Sequence, residues 1–306
     1  MPTSGAASGW RIVLLTVAPA VAHDFTLALR AQGHDVVALV VPAGIRGLRP
    51  LDVEGWAELG RLFEAAPPSV DVLLVSERAH LVPRLADLKP DLLLCFFFPW
   101  KLSPEALALP PLGAVNVHPS LLPRYRGPCP LGWALREDAR ELGLTFHRMD
   151  ASFDTGPVLA QGTFPLKDED TEEVVFEKLM LASRRLLPRV VERVARRDVG
   201  ERQAEADATF APFFDVAYRN IDWGDSARSV HLKVRACRFA GWREGRGDAR
   251  ARLQGRWVRV RRTRAWRGED PRAEPGTLLA RQGDELLVQC GDTPLWVVSH
   301  TPEEVT

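Results

Sequence analysis

Residues 91–118 read DLLLCFFFPWKLSPEALALPPLGAVNVH. The run Asp91 to Phe98 is apolar almost without interruption, which suits a strand buried on both faces rather than one with a wet side. Pro104 to Leu109 follows with apolar residues at three- and four-residue spacing, the period of a helix face. Ala114 to His118 is then a second β-rich run. Working outward toward the amino terminus, the same grammar repeats. Strand-like Arg11 to Val17, Asp35 to Val41 and Val70 to Ser76 alternate with helix-like Asp24 to Ala31, Val53 to Ala65 and Leu81 to Leu88. Buried strands separated by helices predict an α/β fold with a mostly parallel sheet covered on both faces. Ligands in such sheets lie beyond the carboxyl ends of the strands, which directs attention to the loop after Val117.

Outward in the other direction, Gly143 to Met149 and Val158 to Phe164 read as further strands, and Thr171 to Arg197 as a long amphipathic helix after the capping residue Asp170. Beyond about Ala204 the pattern changes. Ile221 to Arg238 reads as one helix, and Leu253 to Trp266, Gly276 to Arg281, Glu285 to Cys290 and Leu295 to His300 as strands joined by Gly, Asp and Pro turns, the pattern of a small β-barrel. In its first strand, Val258 and Val260 should face a core while Arg259 and Arg261 face out. A chain of 306 residues exceeds one ordinary domain. The expected division is a first domain over residues 1–205 and a second over 206–306, with Met1 to Gly9 disordered.

Composition excludes several classes. Hydrophobic content of 46% and charged content of 26% are those of a folded globular protein. Forty basic residues balance forty acidic ones, so the whole chain is no polyelectrolyte, yet Arg228 to Arg267 holds fourteen basic residues against Glu244 and Asp248. That segment reads either as an arginine-heavy solvated surface or as a face for an anionic partner. Cys95, Cys129, Cys237 and Cys290 stand far apart without CxxC or zinc-finger spacing, so neither a metal nor a disulfide framework is expected and a reducing, cytoplasmic compartment fits. Ile12 to Ala22 superficially resembles a signal peptide but carries one basic residue before it, Arg11, and serves better as a first strand and helix. No run approaches the roughly 20 apolar residues of a membrane span.

The chemistry-bearing residues concentrate between Asn116 and Gly156, in NVHPSLLPRYRGP and HRMDASFDTGP. Residues two apart on a strand project from one face, so Asn116 and His118 enter one site. Asp154, after the next strand, can reach the imidazole and set its charge and tautomer. An amine attacking a formyl or acyl carbon must lose a proton while the carbonyl oxygen gains charge. An amide donor serves the oxygen and an imidazole with a carboxylate serves the proton. Singly, a strand histidine is more often a satisfied core group and an aspartate before Thr-Gly more often a turn; the combination is what carries the reading.

Asn116-x-His118, Ser120-Leu121-Leu122-Pro123, Arg126-Gly127 and Asp150 with Asp154-Thr155-Gly156 closely resemble the folate-dependent formyltransferase family. Ile221-Asp222-Trp223, Ser226-Ala227 and Val234-Arg235-Ala236 look like the start of the carboxyl-terminal domain of methionyl-tRNA formyltransferases. The resemblance implies a Rossmann-like catalytic domain followed by an OB-like barrel, with Asn116, His118 and Asp154 as catalytic residues. It implies 10-formyltetrahydrofolate as formyl donor, lying against Phe97, Phe98, Ser120, Leu121, Leu122, Pro123 and Asp150, with Arg126 and Gly127 toward the acceptor.

A dinucleotide oxidoreductase would need glycines after the first strand, where Ala18-Pro19-Ala20-Val21-Ala22 stands. Cys129 between two prolines lacks an activating partner and reads as packing. A nucleic-acid module using Trp257 and Trp266 leaves the triad unexplained, and a hydrolase of the same donor would share it. For the acceptor, the expectation is a small-molecule or biosynthetic amine, with charged initiator tRNA as the alternative. Where tRNA-specific relatives carry a basic loop after the second strand, Val41 to Pro50 offers only Arg46 and Arg49.

Overall fold

A computed structural model of the chain describes residues 9–43, 53–239, 247–269 and 271–302. The expected disorder of the first residues and nearly all of the loop Val41 to Pro50 lie outside them. The first sheet is built from β1 Arg11–Leu15, β2 Asp35–Pro42, β3 Asp71–Val75, β4 Leu92–Phe96, β5 Ala114–His118, β6 Glu141–Arg148 and β7 Val158–Pro165, in the order β3-β2-β1-β4-β5-β6-β7. Pairing is parallel from β3 through β5 and antiparallel between β5 and β6, where Asn116 stands opposite His147.

Helices α1 Pro19–Arg30, α2 Val53–Ala65, α3 Leu81–Leu88, α4 Pro104–Ala108 and the long α6 Glu172–Ala195 alternate with the strands as their spacing predicts. α1 begins five residues earlier than its periodicity shows, because Pro19 occupies the first turn, where its missing N–H costs nothing. On one face Val13, Leu15, Val40, Leu93 and Cys95 pack with Leu81 and Leu85 of α3 and Ala106 of α4. On the other, Phe25 of α1 meets Phe96 at 5.8 Å and Phe146 at 6.4 Å between ring centroids. All three rings are fully buried, each contributing about 1.5–3 kcal/mol by leaving water. The strand reading of Ile12 to Leu15 holds, since all four are at 0% exposure.

Two compact units emerge: residues 1–126, 143–164 and 176–208 form the first, and 127–142, 165–175 and 209–306 the second. The second therefore takes two excursions from the earlier chain rather than starting at a single cut. One of them contains α5 Pro130–Arg136, a seven-residue helix absent from the sequence reading because it is too short to show a period. In the second unit α7 spans Ala227–Phe239, starting six residues later than expected. Ile221 instead donates its backbone N–H to the Arg250 carbonyl, and Asp222 closes a turn on Gly224. The strand expected over Leu253 to Trp266 is a hairpin, β8 Ala249–Leu253 and β9 Arg256–Ala265, turning at Gln254 and Gly255, both at positive φ. With β10 Leu278–Gln282, β11 Glu285–Gln289 and β12 Pro294–Pro302 it forms a five-stranded antiparallel sheet, order β10-β11-β12-β9-β8. Val260 is buried and Arg259 and Arg261 exposed; the alternation then slips, Thr263 being buried, where the pairing with β12 shifts register.

Among the described residues no helix is long and apolar enough to cross a membrane, and no group of three or more His, Cys, Asp or Glu side chains could hold a metal ion. All four cysteines are buried and none forms a disulfide, and burial pushes the Cys237 and Cys290 thiols up to about 12. They are inert packing groups at neutral pH.

Candidate active site

Strand β5 ends at His118, so Asn116 and His118 leave one face at the carboxyl edge of the parallel sheet. The loop Met149 to Pro157 brings Asp154 back over that edge. Asp154 stands in the left-handed region at φ 57°, a conformation costing a non-glycine residue roughly 1–2 kcal/mol. There its Oδ1 lies 3.4 Å from His118 Nδ1 and 3.5 Å from Asn116 Nδ2. The three residues expected to share a site are thus within contact of one carboxylate oxygen.

A fourth group, His147, completes the cluster. Opposite Asn116 across the antiparallel pair, its Nε2 lies 3.1 Å from Asn116 Nδ2 and 3.6 Å from Asp154 Oδ1. Its Nδ1, 2.8 Å from the Arg148 carbonyl, donates there, which leaves Nε2 to accept from the Asn116 amide. His147 falls inside the motif-rich stretch. Only the register between β5 and β6 shows that it faces Asn116, and register is not written in either strand alone.

His118 is held at Nε2, which lies 2.8 Å from the Tyr125 carbonyl, while Nδ1 faces Asp154. The carbonyl requires a hydrogen on Nε2. Burial is the largest influence on the imidazole and holds its pKa below 6.5; Asp154 and the Tyr125 carbonyl pull the other way, and His147 adds to the lowering. The ring is therefore neutral at pH 7 with Nδ1 as its basic nitrogen.

The loop Ser120 to Pro123 is held from beneath by Thr145, which is fully buried. Its hydroxyl donates to the Ser120 carbonyl at 2.7 Å and accepts from the Leu122 N–H at 3.1 Å. Gln161 Nε2 donates to the Leu122 carbonyl at 2.7 Å. Ser120 is turned inward, its hydroxyl donating to the Arg124 carbonyl, while Leu121 is exposed and Pro123 half-buried. Gly143 is required here, because a Cβ would come within 2.3 Å of Leu121.

Phe97 follows β4 at φ 55° and stacks on Phe96 at 4.2 Å and Phe176 at 5.8 Å; Phe98 stands edge-on to Trp100. Both are half-buried. Asp150 is exposed and accepts hydrogen bonds from Ser152 N and the Thr155 hydroxyl, and beside it Phe153 is 57% exposed with the Lys101 ammonium 5.6 Å from its ring centre. Arg126 is buried, with Nη2 2.7 Å and Nη1 2.9 Å from the Glu205 carboxylate and Nη2 2.8 Å from Gln203 Oε1. Gly127, in the second unit, has φ 106° and lies where a Cβ would strike Phe210 at 2.6 Å.

Comparison with known proteins agrees with this chemistry. Residues 54–191 match the family Formyl transferase, and residues 216–305 match Formyl transferase, C-terminal domain. The methionyl-tRNA formyltransferase of Anaeromyxobacter dehalogenans (strain 2CP-C) is 34% identical over 281 residues, 89% of this chain and 86% of that protein. Among solved structures, HypX from Aquifex aeolicus in complex with tetrahydrofolic acid shares the fold with a TM-score of 0.70 at 20% identity, over 97% of this chain and 45% of that one. The N-formyltransferase from Helicobacter canadensis in complex with folinic acid and dTDP-3-aminofucose does so with a TM-score of 0.64 at 14% identity, over 94% and 98%. With both its α/β part and its carboxyl-terminal β domain matched, the chain belongs to the folate-dependent formyltransferase family.

Proposed function

We propose that the protein transfers a formyl group from 10-formyltetrahydrofolate to the amine of a small biosynthetic molecule, with Asn116, His118 and Asp154 as catalytic residues. Half-buried Phe97 and Phe98 and exposed Phe153 offer apolar faces, and the Asp150 carboxylate and the Ser120–Pro123 backbone offer polar edges. That combination suits a flat heteroaromatic ring with hydrogen-bonding rims, so these residues would hold the donor. When bound, the donor supplies an activated formyl group open to attack by an amine.

The protein's own part follows from the cluster. Asn116 gives one Nδ2 hydrogen to His147 Nε2 and the other, over a long 3.5 Å, to Asp154 Oδ1; that second hydrogen is the one the formyl oxygen would take over as charge develops on it. The neutral His118 presents Nδ1 beside Asp154 Oδ1, and this pair receives the proton that the amine loses on attack and releases it to the departing nitrogen. Burial of His118 at 5% exposure keeps bulk water from competing for that proton.

The observation that carries the choice of acceptor is the fate of the arginines in the second unit. Arg228 is paired with Asp138 and Asp168, Arg238 with Glu172 and Asp248, Arg261 with Asp248, and Arg264 with Glu285. Besides Asp248 of the segment itself, four acids from outside it, Asp138, Asp168, Glu172 and Glu285, thus offset part of the basic excess, leaving a weaker face for a polyanion. The second reading, formylation of charged initiator tRNA, is favoured by the methionyl-tRNA formyltransferase relatives, which extend through the carboxyl-terminal domain. A transfer assay with labelled donor, comparing an amine panel that includes amino sugars with charged initiator tRNA, tests the choice. We expect turnover on an amine and none above background on tRNA; efficient formylation of the tRNA overturns the acceptor assignment.

A further inference from the structure

Gln203 lies in an extended stretch whose immediate neighbours are exposed, yet its own side chain turns inward. Two residues earlier, Glu201 fixes the stretch by reciprocal backbone hydrogen bonds with Val158, at 2.9 and 2.8 Å. The Gln203 amide then uses its whole hydrogen-bonding capacity. Nε2 donates to the carbonyls of Asp154 and Gly156, both at 2.8 Å, and Oε1 accepts from Arg126 Nη2 at 2.8 Å and Nε at 3.1 Å. Only a primary amide can do this. A carboxylate would accept from the guanidinium but oppose two carbonyls, and an ammonium would satisfy the carbonyls but repel Arg126.

What the amide joins matters more than its saturation. Arg126 directly follows Tyr125, whose carbonyl accepts from His118 Nε2, and Asp154 Oδ1 stands 3.4 Å from His118 Nδ1, where it will face the proton that nitrogen takes up. The two jaws on the imidazole belong to separate loops, and the path Arg126–Gln203–Asp154 bridges them. Asp154 also needs a restraint, because its left-handed backbone relaxes unless the surroundings hold it. Arg126 is itself steadied by the fork it makes with Glu205.

We propose that Gln203 is a positioning residue of the transfer reaction, fixing the separation of the Tyr125 carbonyl and the Asp154 carboxylate and thereby the orientation of His118. The inference rests on the amine-formylation reading above. It adds a residue from outside the motifs, in the stretch that leaves the first unit.

The test is Gln203→Met, which keeps volume and charge but removes every hydrogen bond of the amide, with Arg126→Met and the double variant beside it. For Gln203→Met we expect kcat to fall about ten- to a hundredfold, the scale of a modest misplacement at the reacting centre, while KM for the amine and affinity for 5-formyltetrahydrofolate stay within about twofold. Because Asp154 and the Tyr125 carbonyl raise the pKa of His118 against burial and His147, loosening the jaws should move its NMR titration to lower pH. The double variant should cost little more than either single one, as both break one bridge. A Gln203→Met protein that melts at lower temperature yet retains wild-type kcat and His118 titration overturns the proposal, Gln203 then being only a structural tie. Should wild type fail to formylate any amine, the reaction assignment falls, whereas the His118 titration still decides whether Gln203 sets the imidazole.

Discussion

Asn116 spends one amide hydrogen on His147 and the other, over 3.5 Å, on Asp154 Oδ1. In the proposed transfer an amide so directed would serve as the oxyanion donor, its orientation settled before the substrate arrives, which is where such donors gain their effect. Asn116→Ala is accordingly expected to fold and to lose about two to three orders of magnitude in kcat, with donor affinity little changed. Single-turnover rates alongside titration with 5-formyltetrahydrofolate check this; near wild-type turnover would remove Asn116 from the chemistry. The pair Asn116 and His118 was legible in the Asn-x-His step because strand geometry alone puts residues two apart on one face. Gln203 was not, since nothing in the local pattern Glu201 to Glu205 marks a residue whose partners lie far away in sequence.

At the level of elements, α7 docks on β9 through His231, whose Nδ1 is 2.8 Å from the Thr263 hydroxyl while Nε2 is buried without a hydrogen-bond partner among the described residues. Burial, reinforced by Arg235, lowers its pKa to about 4 from 6.5, against an opposing pull from Asp168. Between those values the unfolded chain binds a proton that the folded one refuses, so stability is full above pH 6.5 and is lost as pH falls toward 4. The loss amounts to about 3 kcal/mol, taking 1.36 kcal/mol per unit. Urea melts at pH 7 and pH 5 should show a smaller difference for His231→Gln than for wild type, and an equal difference would mean that His231 does not titrate between them. Strand and helix identities in the first sheet were readable from apolar runs and helical spacing. The late start of α7 and the β8–β9 hairpin were not: backbone pairing of Ile221 with Arg250 and the positive-φ turn at Gln254 and Gly255 decided them.

For the whole molecule, charge is balanced not segment by segment but through folding. If the acceptor is a small amine, replacing the exposed Arg256 and Arg262 of β9 by serine should leave transfer to it within about twofold and nearly insensitive to salt. A polynucleotide acceptor held there would instead show a salt slope that falls by about one for each phosphate contact removed, which comparing KM at two salt concentrations would reveal. The sequence by itself determined the parallel α/β plan, the Asn-x-His motif and the family, because periodicity and short-range spacing are properties of neighbouring residues. Tertiary structure alone decided that His147 stands against Asn116, that Gln203 ties Arg126 to the Asp154 backbone, and that Asp138, Asp168 and Glu172 pair with arginines of the basic segment. Those pairings depend on strand register and on stretches brought together across tens of residues, which no local pattern encodes.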